Sequence, residues 1–275
     1  MQDTKHNASV SVATSYNAAF INTSTTKTTH LGGLIGYTDK VTVANSFNVG
    51  KLYGYVDSSV AINIGGLVGF AYNNNSTNKI TITKSYNAGL VNYSTNAMSD
   101  NAGGLVGGLQ KPTENYDIGT TNFYTNNVGN ARNRAVGSED AHITTSSANF
   151  DDLLAKLRNF SSDAIYSGTW ATSVWKSAEM YNNGLPYFAS HGNDMFTITV
   201  SFANNASTGS MTQRHLYSNS MFITPECTGF TSTDSGATFL GWTTVDGGFD
   251  MEYSATALVK GLTENMTLYP VFGYE

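Results

Sequence analysis

The chain has 275 residues, a formal net charge of −6, and only 12% Asp, Glu, Lys and Arg. About a quarter is usual in soluble domains, and here Gly, Ser, Thr and Asn take the place of the missing charges. No apolar run approaches the roughly 20 residues of a membrane-spanning helix, no basic cluster marks a nucleic-acid partner, and 16 Tyr with 14 Phe exclude a disordered polar tract.

The length suits two domains, or one stacked array with a cap. A single cysteine, Cys227, rules out an intramolecular disulfide and a cysteine-based zinc site. Residues 1–6 hold no apolar core and are no signal peptide, so the expectation is a piece of a longer exported chain.

Three copies of one phrase organise the first 110 residues: Gly32-Gly33-Leu34-Ile35-Gly36, Gly65-Gly66-Leu67-Val68-Gly69 and Gly103-Gly104-Leu105-Val106-Gly107. Each is preceded by a second phrase: Ser15-Tyr16-Asn17-Ala18-Ala19, Ser46-Phe47-Asn48-Val49-Gly50 and Ser85-Tyr86-Asn87-Ala88-Gly89. Periods of a few tens of residues indicate stacked units that cannot bury their apolar faces alone. Alternating strand-like pieces lie between the phrases at 41–43, 60–64 and 80–83. Leu34, Leu67 and Leu105 are expected to point inward and stack. The paired glycines would permit positive φ and close approach at a corner. Each Asn can bond its own backbone or stack on its copies. On these residues the region 9–130 resembles the GLUG repeat of bacterial surface proteins, which implies a parallel β-solenoid.

Beyond the third copy, Thr121-Asn122-Phe123-Tyr124 reads as a last, degenerate turn of the array. Residues 149–160 read as a short capping helix, with Asn149 as N-cap, two Asp in its first turn and an apolar face of Phe150, Leu153, Leu154 and Leu157. Trp170, Trp175 and the run Asn182-Asn183-Gly184-Leu185-Pro186-Tyr187-Phe188 resemble the terminator of such arrays.

A polar linker at 189–194 precedes a clean alternating strand, 196–202. Then follow Phe239-Leu240-Gly241-Trp242, the turn Asp246-Gly247-Gly248, Tyr253, and Asn265-Met266-Thr267-Leu268-Tyr269-Pro270-Val271-Phe272. This order resembles the internalin-type B-repeat, also called the Listeria–Bacteroides repeat, a small β-grasp-like module in which Trp242 and Tyr269 are signature positions. Pro270, Phe272 and a longer middle section depart from the family pattern.

The expected fold class is therefore all-β: a parallel β-solenoid over 1–130, a cap and terminator over 131–192, and a β-grasp-like domain over 193–275. The candidate residues, Gly33, Leu34, Gly36, Gly66, Leu67, Gly69, Gly104, Leu105, Gly107, Trp242 and Tyr269, are all structural. No catalytic residue, cofactor or metal ligand is assigned. His6, His30, His142, His191 and His215 have no zinc spacing, and no nucleophile elbow is present. Asp39, Asp57 and Asp100 fall at no fixed phase, as loop solubility would place them. Asp100, Asp117, Glu139 and Asp140 form no calcium loop. Trp170, Trp175 and Tyr181 read as buried cap rather than a sugar-stacking platform. The expectation is a non-enzymatic bacterial cell-surface or secreted adhesin fragment, part of a longer surface chain, with a host protein or glycan as partner. Its rivals are a carbohydrate-active β-helix enzyme, which needs clustered carboxylates or Lys/Arg, and a purely structural stalk spacer.

Overall fold

A computed structural model describes residues 9–56, 60–72, 80–93, 99–110, 116–118, 122–125, 135–137, 146–148, 170–259 and 261–274. These are nearly all strand and turn. The chain divides into two compact units, 1–175 and 176–275. The helix expected over 149–160 lies outside the described residues.

In the first unit, short strands recur in a fixed order of five per layer. The first layer is β1 (Val10–Ala13), β2 (Tyr16–Asn17), β3 (Ile21–Thr25), β4 (Thr29–Gly32) and β5 (Ile35–Thr38). The second is β6 (Val41–Ala44), β7 (Phe47–Asn48), β8 (Leu52–Val56), β9 (Ala61–Gly65) and β10 (Val68–Tyr72). The third is β11 (Ile80–Thr83), β12 (Tyr86–Asn87), β13 (Val91–Tyr93), β14 (Ser99–Gly103) and β15 (Val106–Gln110). Each strand pairs in parallel with its counterpart in the next layer, so five parallel sheets run through the layers. The pairing is in register: Val10, Val41 and Ile80 are Cα partners, as are Ile35, Val68 and Val106. Such neighbours lie about 4.8 Å apart, so a residue type repeated at one phase becomes a column.

The register continues past the third layer. β16 (Tyr116–Ile118) and β17 (Phe123–Thr125) pair on β11 and β12, and β18 (Ser146–Ala148) pairs on β17. Residues Ala135-Val136-Gly137 form a cryptic fourth copy of the glycine phrase. The N–H groups of Leu105 and Val106 both donate to the Ala135 carbonyl at 2.9 Å, as those of Leu67 and Val68 donate to Leu105 at 2.9 Å.

Apolar side chains alternate inward along these strands, and two buried clusters result. One joins Val41, Val43, Leu67, Val68, Ile80, Ile82, Leu105 and Val106, with Leu34 packed at its margin. The other joins Leu52, Ile62, Ile64 and Val91.

The expected positive φ at the motif glycines is not what the structure has. Left-handed φ falls instead on Thr14 (49°), Asn45 (48°) and Lys84 (49°), the residue before each Ser-aromatic-Asn phrase. The glycines serve close approach. A Cβ on Gly66 would stand 2.1 Å from the Gly104 carbonyl oxygen and 2.3 Å from Cγ of Asn87. The position has no room for a methyl group, because atoms of the next layer already occupy it.

After β19 (Trp175–Lys176), the second unit contains β20 (Tyr187–Phe188), β21 (Ile198–Phe202), β22 (Ser207–Gly209), β23 (Arg214–Leu216), β24 (Phe222–Ile223), β25 (Phe230–Ser232), β26 (Thr238–Thr243), β27 (Leu258–Val259) and β28 (Met266–Gly273). Its main sheet has the order β23-β21-β28-β26. β21 and β28 pair in parallel, while β23 and β26 are antiparallel to their neighbours. One core fills this unit, built from Ile198, Val200, Leu216, Phe222, Phe230, Trp242 and Leu268.

Candidate functional site

The repeated phrases form columns, and the chemistry of each column decides what the first unit can offer a ligand. Asn17 Nδ2 donates to Asn48 Oδ1 at 2.8 Å, and Asn48 Nδ2 donates to Asn87 Oδ1 at 2.7 Å. Each amide also closes its own turn: Ala19, Gly50 and Gly89 donate N–H to the Asn two residues earlier, at 3.0, 3.1 and 3.1 Å. So each Asn bonds both its own turn and a copy in an adjacent layer. Next to this column runs a second. Ser15 N–H donates to Ser46 Oγ, Ser46 N–H to Ser85 Oγ, and Ser85 N–H to Asn122 Oδ1, at 3.2, 3.1 and 3.1 Å. Asn122 thus replaces serine in the degenerate fourth turn. Tyr124, the partner of Asn87, places its ring against Gly104 where Asn87 lies against Gly66, and so ends the amide column.

The aromatic residue of the phrase forms a third column. Tyr16 stacks on Phe47 with ring centroids 5.3 Å apart, and Phe47 on Tyr86 at 5.1 Å. Trp175 packs against Phe47 and Tyr86, and Trp170 against Tyr86 and Phe123. Both tryptophans are buried. Trp175 also donates Nε1–H to Asn45 Oδ1 at 3.5 Å. The two tryptophan rings are interior and offer no open face to a sugar.

A fourth column has a sequence signal that the glycine phrases overshadow. His30, Asn63 and Asn101 repeat with the same steps as Gly33, Gly66 and Gly104. Asn101 Nδ2 donates to Asn63 Oδ1 at 2.7 Å, which turns Asn63 Nδ2 toward His30 Nδ1 at 3.1 Å. His30 Nδ1 must then accept, so the imidazole is neutral, and burial lowers its pKa. His30 also stacks on Phe70 at 4.8 Å, and Phe70 on Tyr37 at 6.0 Å.

Outward-facing groups come from the variable stretches. Tyr37 is 51% exposed, and its hydroxyl donates to Asp39 at 3.2 Å. Burial first, and Asp39 second, push its pKa up. Phe20 and Tyr55 are exposed, and Lys51 Nζ lies 4.9 Å from the Phe20 ring centroid and 5.8 Å from that of Tyr53. Asp117 is exposed. Asp57, Glu139, Asp140 and the side chain of Asp100 lie outside the described residues, as do His6, His142 and the loop residues 73–79 and 94–98.

In the second unit, Trp242 is fully buried, donates Nε1–H to the Pro225 carbonyl at 2.8 Å, and packs beside Phe202 and Phe239. Tyr269 pairs with Thr243 across β26 and β28 and is half-buried. Tyr181 packs against Tyr187, Phe196 and His215. His191 meets the Tyr217 hydroxyl at 2.7 Å, and burial lowers its pKa against the opposing pull of Asp194. Burial pushes the Cys227 thiol up, so it is protonated at neutral pH and is no activated nucleophile.

Among the described residues no three His, Cys, Asp or Glu side chains come together in a way that could hold a metal ion. No described helix is long and apolar enough to cross a membrane. The chain matches no protein-family model, no curated protein and no solved structure.

Proposed function

We propose that the chain is a non-enzymatic fragment of a bacterial cell-surface or secreted adhesin. In this reading the first unit is a parallel β-solenoid of GLUG-type repeats, and the second is a β-grasp-like module of the internalin B-repeat type. The chain would belong to a longer surface protein, extracellular, that binds or projects toward a host protein or glycan.

One observation carries the reading. The phrase residues Asn17, Asn48 and Asn87 spend their hydrogen bonds on neighbouring layers, while the residues that differ between copies, such as Phe20, Tyr37 and Tyr55, face outward. A rigid stack with variable outward side chains suits recognition of an extended ligand, and repetition adds avidity.

The test is a screen of the full chain against glycans and matrix proteins, paired with a Tyr37→Ser/Tyr55→Ser variant. Saturable binding that the variant loses supports adhesion. Turnover of a polyanionic glycan would replace this reading with a carbohydrate-active enzyme. No binding to either panel would leave the stalk-spacer role.

A further inference from the structure

We infer that a cleft in the second unit binds the carboxylate of an acidic sugar residue. Arg214 is the recognising group, and Glu179 is the side chain that the ligand displaces. The cleft has a volume of about 360 Å³, and its walls include Glu179, Met180, Met211, Thr212, Arg214 and Thr228. Ligand sites commonly span roughly 300–1,000 Å³, so this one suits a single residue of a polymer.

The two charges of the cleft are held very differently. Arg214 opens β23, and its side chain is only 10% exposed. Its Nη1–H donates to the Thr212 carbonyl at 2.9 Å, and its guanidinium carbon lies 5.9 Å from the Phe202 ring centroid. A cation buried to this degree needs an anion beside it. Glu179 fills that place: Arg214 Nη2–H donates to its Oε1 at 2.6 Å. Yet the Glu179 side chain is 66% exposed, so water competes for the carboxylate end of the pair. The backbone next to it is pinned, because His215 N–H donates to the Met180 carbonyl at 2.7 Å. A ligand carboxylate can therefore take the Oε1 position by a swing of one exposed side chain.

The guanidinium is planar and permanently charged, which matches it to a carboxylate. The other lining residues narrow the class of carboxylate. Ser210, Thr212 and Thr228 bring hydroxyls that can donate or accept, and Met180 and Met211 bring adaptable apolar surface. A uronic acid residue matches all three features, with its carboxylate, its hydroxyls and its C–H face. A peptide C-terminus matches the guanidinium but leaves the hydroxyls without partners.

The test labels the methionine methyl groups of the full chain and follows them by NMR as D-glucuronate is added. The Met180 and Met211 signals should shift saturably, and D-glucose, which lacks the carboxylate, should move neither. Arg214→Lys should bind about tenfold more weakly, since the fork geometry is lost. Should that variant unfold, Glu179→Gln decides, because it changes an exposed side chain. It should bind glucuronate about threefold more tightly, the competing carboxylate being gone. Glu264→Gln removes the same charge from a different cleft and should change nothing. Unchanged or weaker binding by Glu179→Gln, equal shifts with glucose, or shifts with an acetylated dipeptide but not with glucuronate would each overturn the inference. It rests on the glycan arm of the adhesin reading but shares no residue with it, so the Tyr37→Ser/Tyr55→Ser variant should keep the methyl shifts. Silent methyls would remove the cleft alone, whereas an empty glycan and matrix screen beside shifting methyls would remove the adhesin reading alone.

Discussion

Asn48 and Asn87 stand in adjacent layers, 39 positions apart in sequence, joined by a 2.7 Å hydrogen bond from Asn48 Nδ2 to Asn87 Oδ1. Both are fully buried. Asn48 also accepts from Asn17 Nδ2 and from Gly50 N–H, and donates to the Gly50 carbonyl. One side chain thus ties three layers together.

Replacing Asn48 by Ala leaves several buried partners unpaired at once. Each orphaned group costs about 1–3 kcal/mol, so Asn48→Ala should lose roughly 3 kcal/mol or more in urea unfolding. Asn17→Ala, at the half-exposed first layer, should lose about 1 kcal/mol. Equal losses at the two positions would contradict the column as described.

Glycine in the phrases excludes a side chain. Gly66→Ala would drive a methyl into the Gly104 carbonyl and Asn87, and overpacking of this kind costs about 1–3 kcal/mol or more. Gly247 is the contrast: φ is +73°, and a methyl there would meet nothing within 4 Å. Gly247→Ala should therefore lose only about 1 kcal/mol, the conformational share. Thermal unfolding of the two variants separates crowding from backbone preference.

Thr14 holds the left-handed turn of the first layer at φ 49° and is exposed. A β-branched residue there is strained, while Asn tolerates the region. Thr14→Asn should stabilise the chain by about 0.5–1 kcal/mol, read as a rise in the urea midpoint at unchanged slope.

Acid should weaken the fold before its carboxylates titrate. His30 and His191 both have folded pKa values below the ordinary value near 6.5. The unfolded chain then binds protons more readily, so stability rises with pH through this range. It is fully present above about 6.5 and is lost as pH falls through the folded pKa values. The melting temperature should drop between about pH 7.5 and 5.5, and a His30→Asn/His191→Gln variant should show a smaller drop. An unchanged drop would show that neither histidine contributes.

Much of the layered arrangement was legible because identical residues recur at one phase. Leu67 and Leu105 are fully buried, and they hold the same place in their phrases. The fourth copy at Ala135-Val136-Gly137 was not legible, since the sequence before it reads Asn133-Arg134 in place of two glycines. The left-handed corner escaped for a different reason. Thr14, Asn45 and Lys84 share a backbone conformation but no side-chain chemistry, and the glycines nearby are the commoner bearers of positive φ. Trp170 and Trp175 read as buried cap residues, but their seat on the rings of Phe47, Tyr86 and Phe123 joins residues far apart in sequence, which no local pattern encodes. In the second unit the stretches 238–243 and 266–273 stood out as phrases and not as strands, whereas the strand at 198–202 followed from the alternation over 196–202. The parallel pairing of β21 with β28 did not, because strand order is set by the whole core.

The columns exist only if the layers keep their register, and cysteine cross-linking reads that register directly. Thr42 and Thr81 are Cα partners on β6 and β11. In a Cys227→Ser background, Thr42→Cys/Thr81→Cys should form a disulfide quantitatively under mild oxidation, since parallel neighbours about 4.8 Å apart lie within disulfide reach. Thr42→Cys/Thr83→Cys, two residues out of register at roughly 8 Å, should stay reduced. Cross-linking of the second pair but not the first, or of both equally, would contradict the layered register.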